Sequence, residues 1–218
     1  MRYEIVNAGE SRSFPAPHPF LEQASAGGDA LVFVGVDAGR AYAASTGLAS
    51  RTFVAIELGT ECLGVHTGES RGLEGSNVVG FARFRLGDAD PSPLVELVRQ
   101  PGTSAEAVDA AKAAFQAAGL VVAVCNDFPG RIVDRLIRPY FNAALRRLDE
   151  KLASADDLDK TLCLGLGYPE GPISLLERTG LAHHFSITDA LYQALGQEPY
   201  APARRARVAA ERASGGAQ

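Results

Sequence analysis

Two apolar periods that cannot belong to one type of element meet at Asn126-Asp127-Phe128-Pro129-Gly130, and this junction constrains the fold more than any other feature of the chain. Upstream, apolar residues come in short continuous runs rich in β-branched side chains, at 31–36 (LVFVGV), 53–58 (FVAIEL), 77–84, 94–98 and 120–125 (LVVAVC). Such runs suit strands buried on both faces of a largely parallel sheet. A weaker candidate strand lies at 2–6. Downstream, Ile132, Val133, Leu136, Ile137, Tyr140, Phe141, Ala144, Leu145, Leu148 and Leu152 recur at helical spacing, with arginines and acids on the other face. Pro139 sits inside this pattern and predicts a kink one turn earlier and not a break.

Alanine-rich segments at 40–48 and 105–118 predict helices between the strands, the second opened by Thr103-Ser104-Ala105-Glu106 at capping-box spacing. The alternation predicts an α/β half over 1–125. An all-helical half follows over 126–203, with helices starting at Ser154, at 173–179 and at 183–195, and a glycine- and proline-rich turn at 165–172. Residues 204–218 are expected to be a flexible tail, its Arg204, Arg205, Arg207 and Arg212 either solvated or in contact with an anionic ligand. The net charge of −5 argues against a nucleic-acid partner. Cys62, Cys125 and Cys163 form no CxxC pair, so neither a metal site nor a disulfide framework is expected. No leader pattern opens the chain and no apolar stretch approaches 18 residues, so a cytoplasmic protein off the membrane is expected.

A dinucleotide-binding domain carries GxGxxG between its first strand and first helix, so that backbone amides can approach a pyrophosphate. The stretch Gly35-Val36-Asp37-Ala38-Gly39-Arg40 has two glycines at the wrong spacing. Gly165-Leu166-Gly167-Tyr168-Pro169-Glu170-Gly171 has one residue too many, contains a proline and lies between helices. Four or five strands can be counted before residue 126, against about six in such a domain. No bound cofactor is therefore expected.

The run from Asn126 to Leu136 (NDFPGRIVDRL), Pro139-Tyr140-Phe141-Asn142-Ala143-Ala144, Asp157-Leu158-Asp159-Lys160, the glycine-rich turn, and Leu175-Leu176-Glu177-Arg178-Thr179-Gly180-Leu181 carry a specific likeness. In order and spacing, over 119–202, they resemble the C-terminal domain of 3-hydroxyacyl-CoA dehydrogenases. Residues 80–98 and 101–104 more faintly resemble the end of that family's dinucleotide domain, and residues 1–30 resemble nothing in it. The arrangement is also similar to the degenerate second half of long bacterial 3-hydroxybutyryl-CoA dehydrogenases of aromatic-compound breakdown. The implied fold is a truncated Rossmann-like α/β domain followed by an all-α domain of the dehydrogenase C-terminal type.

The resemblance implies a chemistry of hydride transfer to NAD, with a His–Glu dyad taking the hydroxyl proton and an asparagine and a serine positioning the thioester. Within Phe81-Ala82-Arg83-Phe84-Arg85-Leu86-Gly87, Arg85 falls at the histidine across a one-residue gap, and arginine cannot accept a proton. Glu96 matches the dyad's glutamate, although an inert ion pair with Arg85 is the other reading. Asp134 occupies the asparagine position, as a substrate contact or as the i, i+4 partner of Arg138. Cys62 falls near the serine. His18, His66, His183 and His184 sit where surface or capping roles are expected. The implied function is a degenerate relative without independent NAD-dependent activity, a homodimer through the helical half (Ile132, Ile137, Phe141, Leu148) and/or an acyl-CoA thioester-binding module in fatty-acid or aromatic-compound breakdown. Two alternatives stand beside it: an active component completed by a full-length dehydrogenase subunit that supplies NAD and the base, and a purely structural interaction protein.

Overall fold

The computed structural model describes residues 2–69, 71 and 77–215. The chain forms two compact units, Met1–Arg85 with Pro91–Ile132, and Leu86–Asp90 with Val133–Gln218. The division falls after Ile132 and not at 125/126. The segment after the last strand stays with the first unit because Gly130 N–H donates to Thr60 O at 2.6 Å and Arg131 donates to Glu61 O at 2.5 Å.

The first unit is one six-stranded sheet of β1 (Tyr3–Asn7), β2 (Ala30–Val34), β3 (Val54–Glu57), β4 (Val78–Arg83), β5 (Leu94–Arg99) and β6 (Val121–Asn126), in that spatial order. β1 to β4 run parallel, β5 pairs antiparallel to β4, and β6 runs parallel to β5. Six strands correct the expected four or five. β1 was hard to read because it lies at the sheet edge and keeps only Tyr3 buried, so its sequence lacks an apolar run. β2 and β3 are buried throughout, which their continuous apolar runs require. Side chains alternate between two cores, with Val32 and Val34 packed among Phe14, Phe20, Phe81 and Phe115, and Leu31 and Phe33 among Ile56, Leu63 and Ala38.

Four helices are described in this unit: α1 (Pro19–Glu22), α2 (Ala38–Ala43), α3 (Gly64–Thr67) and α4 (Ala105–Ala117). The expected helix at 40–48 is thus shorter and earlier. α4 is capped by Ser104, whose hydroxyl accepts from Ala107 N–H. Thr103, the expected box residue, accepts from Gln100 N–H and donates to Val78 O.

The second unit comprises α5 (Ile132–Asp149), α6 (Ala155–Leu166), α7 (Pro172–Thr179), α8 (Leu181–Leu195) and α9 (Arg204–Gly215). α5 runs unbroken through Pro139, as expected of that proline. Proline lacks the N–H that would serve the carbonyl four residues earlier. Tyr200 Oη donates to that carbonyl, Arg135 O, at 3.0 Å and so satisfies it. The expected flexible tail is corrected too: α9 buries Ala206, packs on α8, and ties Arg204 and Arg205 to Asp149 Oδ1 at 2.8 and 2.7 Å. Residues 216–218 of that stretch lie outside the described residues. The glycine-rich turn links α6 to α7, where Asp159 accepts from Ile173 N–H and Ser174 N–H. Gly171 passes so close to that carboxylate that a Cβ would collide with it. Among the described residues no helix is long and apolar enough to cross a membrane, and no three metal-binding side chains gather.

Candidate functional site

Parallel strands present their carboxyl ends as the place where ligands bind in open α/β sheets. In the first unit that edge is defined by Asn7, Gly35 just past β2, Glu57 and Arg83. Residues 8–14 run along it. Ala8 O and Glu10 O accept from Asp37 N–H and Val36 N–H, both at 2.9 Å. Those two amides lie in the turn after the second strand, just before α2, and both are taken by the segment that leaves β1. Gly35 holds φ +114, and a Cβ there would strike Gly9 O and Ala8 O. Only glycine allows this approach.

Glu57 closes the arrangement. Its side chain is buried, and its carboxylate accepts from Gly35 N–H at 2.7 Å, Ser13 N–H at 2.8 Å and Ser11 Oγ at 2.9 Å. Arg83 holds the same segment from β4, donating to Ser13 O at 2.8 Å and stacking over the Phe14 ring at 5.1 Å. Its other nitrogens donate to Ser92 O and Pro91 O, which turns the chain out of the sheet after Arg83. Sequence reading missed Glu57. The signal was a lone acid at the end of the apolar run FVAIEL, a place where a carboxylate must find partners.

Glu96 lies on β5 almost wholly buried, and the register sets Ala82 opposite it. Arg85 lies two residues past the end of β4, with its carbonyl accepting from Arg12. Neither alanine nor an always-charged arginine offers a proton acceptor. The Glu96 carboxylate accepts the backbone N–H of Ile132. Nearby, Asp127 accepts from Leu63 N–H at 2.7 Å and Gly64 N–H at 2.8 Å, the start of α3. This brings Cys62 toward the end of β6. Burial, reinforced by Asp127, pushes the Cys62 thiol up, with Arg131 opposing. Burial likewise pushes Cys125 up. Both remain neutral thiols at neutral pH, so neither is an activated nucleophile.

Asp134 lies in the second unit, in a polar chain along one face of α5. Arg138 Nε donates to Asp134 Oδ1 at 2.7 Å, the ion-pair reading of that residue. Arg138 Nη1 lies 3.2 Å from His184 Nδ1, and His184 Nε2 lies 3.0 Å from Asn142 Oδ1. Asn142 Nδ2 donates to Thr188 Oγ1, which donates to Tyr200 O. A guanidinium only donates, so Nδ1 must accept and Nε2 must carry the hydrogen. His184 is therefore a neutral core residue and not the surface or capping residue expected of it. Burial, and after it Arg138, lower its pKa to about 3. Asp134, Arg138 and Asn142 fall at i, i+4 and i+8, a polar stripe visible in the sequence but not read as a network. His183 lies 3.6 Å from Asp88, His66 3.5 Å from Glu61, and His18 Nδ1 accepts from Phe20 N–H.

Residues 130–217 match the family described as 3-hydroxyacyl-CoA dehydrogenase, C-terminal domain. The probable 3-hydroxybutyryl-CoA dehydrogenase of Deinococcus radiodurans is 33% identical over 109 residues, 50% of this chain and 39% of that protein. The mitochondrial hydroxyacyl-coenzyme A dehydrogenase of Homo sapiens is 36% identical over 106 residues, 49% of this chain and 34% of that protein. The match thus spans well under half of these relatives' lengths. The crystal structure of 3-hydroxybutyryl-CoA dehydrogenase from Escherichia coli K12 superposes with a TM-score of 0.71 at 26% identity, covering 88% of this chain and 40% of that one. The structural likeness therefore extends into the first unit, beyond the reach of the sequence match.

Proposed function

We propose that the chain, whose residues 130–217 match the C-terminal domain of 3-hydroxyacyl-CoA dehydrogenases, is a member of that family without NAD-dependent redox activity of its own, acting as a dimerising and/or acyl-CoA thioester-binding module. The observation that carries this reading is the buried Glu57 carboxylate at the strand ends, bonded to Gly35, Ser13 and Ser11. A pyrophosphate needs free amide donors and no opposing charge. Here the amides of Val36 and Asp37 already serve Glu10 O and Ala8 O, and a carboxylate holds Gly35 N–H. These residues do not fit a dinucleotide. The position across from Glu96 also lacks a proton acceptor, since Ala82 stands there.

The thioester part rests on the relatives, whose names specify CoA thioesters, and on the retained glutamate and Cys62. The dimer part rests on exposed apolar residues of the helical unit. Leu136, Leu164 and Leu166 are 73%, 79% and 66% exposed, and an apolar pocket of about 160 Å³ lies between Tyr140, Tyr168 and Leu175. Large apolar side chains left exposed on both α5 and α6 support an interaction surface on this unit. Phe141 is buried within its own unit, so the proposed contact uses Leu136 and its exposed neighbours in its place.

A thermal-shift series with NAD, NADH, acetoacetyl-CoA and free CoA tests the ligand claim. A ligand at one hundred times its Kd stabilises by about 2.7 kcal/mol. Acetoacetyl-CoA is expected to raise the melting temperature by several degrees, with NAD and NADH leaving it unchanged; the opposite pattern overturns the reading. Light scattering at micromolar concentration is expected to give twice the chain mass, and a monomer refutes the dimer.

A further inference from the structure

Residues 8–14 leave β1 and cross the carboxyl ends of three further strands in turn. Ala8 and Glu10 bind the backbone after β2, Ser11 and Ser13 bind Glu57 at the end of β3, and Ser13 and Phe14 bind Arg83 at the end of β4. We propose that this strap is a built-in plug of the strand-end crevice, and that the Glu57 carboxylate is its resident anion, seated in a donor set made for a small carboxylate. The proposal rests on the reading above that no dinucleotide occupies the crevice.

Three donors from separate stretches converge on one carboxylate: the amide of Gly35, the amide of Ser13 and the hydroxyl of Ser11. Backbone amides gathered in this way form a concave anion receptor. The receptor is already filled from within. The remaining pocket of about 210 Å³ has Glu10, Glu57 and Glu61 on its wall against Arg12, so a second anion meets repulsion there. The strap does not depend on Glu57 alone. Arg83 anchors its far end through Ser13 O and the Phe14 face, and Phe14 packs within 5.3 Å of Phe20 and 6.3 Å of Phe81. Gly35 is fixed by the close passage of Ala8 and Gly9. Truncating Glu57 therefore leaves the donors in place and their receptor empty.

The test is chemical rescue with sodium formate. Glu57→Ala strips three donors of their acceptor, and the variant is expected to melt about 10 °C below the wild type. Formate is expected to restore about half of that loss in Glu57→Ala, while sodium chloride at equal ionic strength does not and the wild type responds to neither. Equal responses to formate in the variant and the wild type overturn the proposal. Should Glu57→Ala fail to fold, hydrogen exchange on the wild type decides. The amides of Gly35 and Ser13 are expected to exchange as slowly as those inside β2, and exchange at the rate of an open loop overturns the plug. A melting shift of the wild type with NADH would instead refute the reading on which the proposal rests, independently of the formate result.

Discussion

Acidification from pH 7 to pH 5 is expected to cost the helical unit about 2 kcal/mol through His184 alone. The side chain is buried against Arg138 and Asn142 in its neutral form, and its pKa is lowered to about 3, first by burial and then by Arg138. In the unfolded chain the same imidazole titrates near 6.5. Between these values the unfolded state binds a proton that the folded state refuses, so stability is lost as pH falls from about 6.5 toward about 3. At pH 5 the unfolded histidine is protonated about thirtyfold over neutral, which converts to the stated figure. His18 is also held below its ordinary value by burial and Arg83, and contributes with the same sign. The control is His184→Gln, whose amide oxygen can accept from Arg138 while its nitrogen donates to Asn142. Urea unfolding followed by far-UV circular dichroism at both pH values gives the two differences. Subtraction removes His18 and every other shared group. A wild type and a variant that lose equal stability over this range would refute a neutral, buried His184.

Tyr200→Phe should cost about 1–3 kcal/mol in the same assay, because the Arg135 carbonyl freed by Pro139 loses its donor, and adding Pro139→Ala should recover part of it. Asp134→Ala should destabilise the protein by removing the carboxylate that accepts from buried Arg138 Nε, by about 1–3 kcal/mol, and a change of a few tenths would mean that the ion pair is not structural. Ala82→His, which sets an imidazole opposite Glu96, is expected to yield no NAD-linked oxidation of 3-hydroxybutyryl-CoA, alone or with Asp134→Asn. A general base is worth about 10²–10⁴-fold and, on the proposed reading, cannot replace the hydride acceptor that the crevice does not take up; NADH absorbance above background would show a cofactor site.

The architecture was legible where one physical signal dominated. Continuous apolar runs marked β2 to β5 because those strands are largely buried on both faces, and the same kind of run marked β6 although no residue of that edge strand is fully buried. The helical period after residue 126 marked α5, whose Phe141 and Leu145 are buried while Ile132 and Leu136 are exposed. β1 was faint because its edge position demands little apolar surface. α9 was read as a tail because its arginines suggested solvation, whereas Arg204 and Arg205 are held by Asp149, a residue 55 positions away from the first of them. The uninterrupted α5 depended on Tyr200, 65 residues from the carbonyl it serves. The candidate site was legible by residue type but not by partner. Glu96 could be named, but its register with Ala82 is a property of the paired strands. Glu57 was passed over, and His184 was read as a surface or capping residue, because their partners lie 22 to 46 residues away in the chain.

The central claim concerns the strand-end crevice, and a direct titration of the wild-type protein with NADH, followed by the nucleotide's fluorescence, tests it most simply. A buried carboxylate at Gly35 N–H and consumed amides at Val36 and Asp37 predict no saturable binding up to about 1 mM, a ceiling equivalent to about −4 kcal/mol. Saturable binding at micromolar NADH, reversed by NAD, would contradict the account.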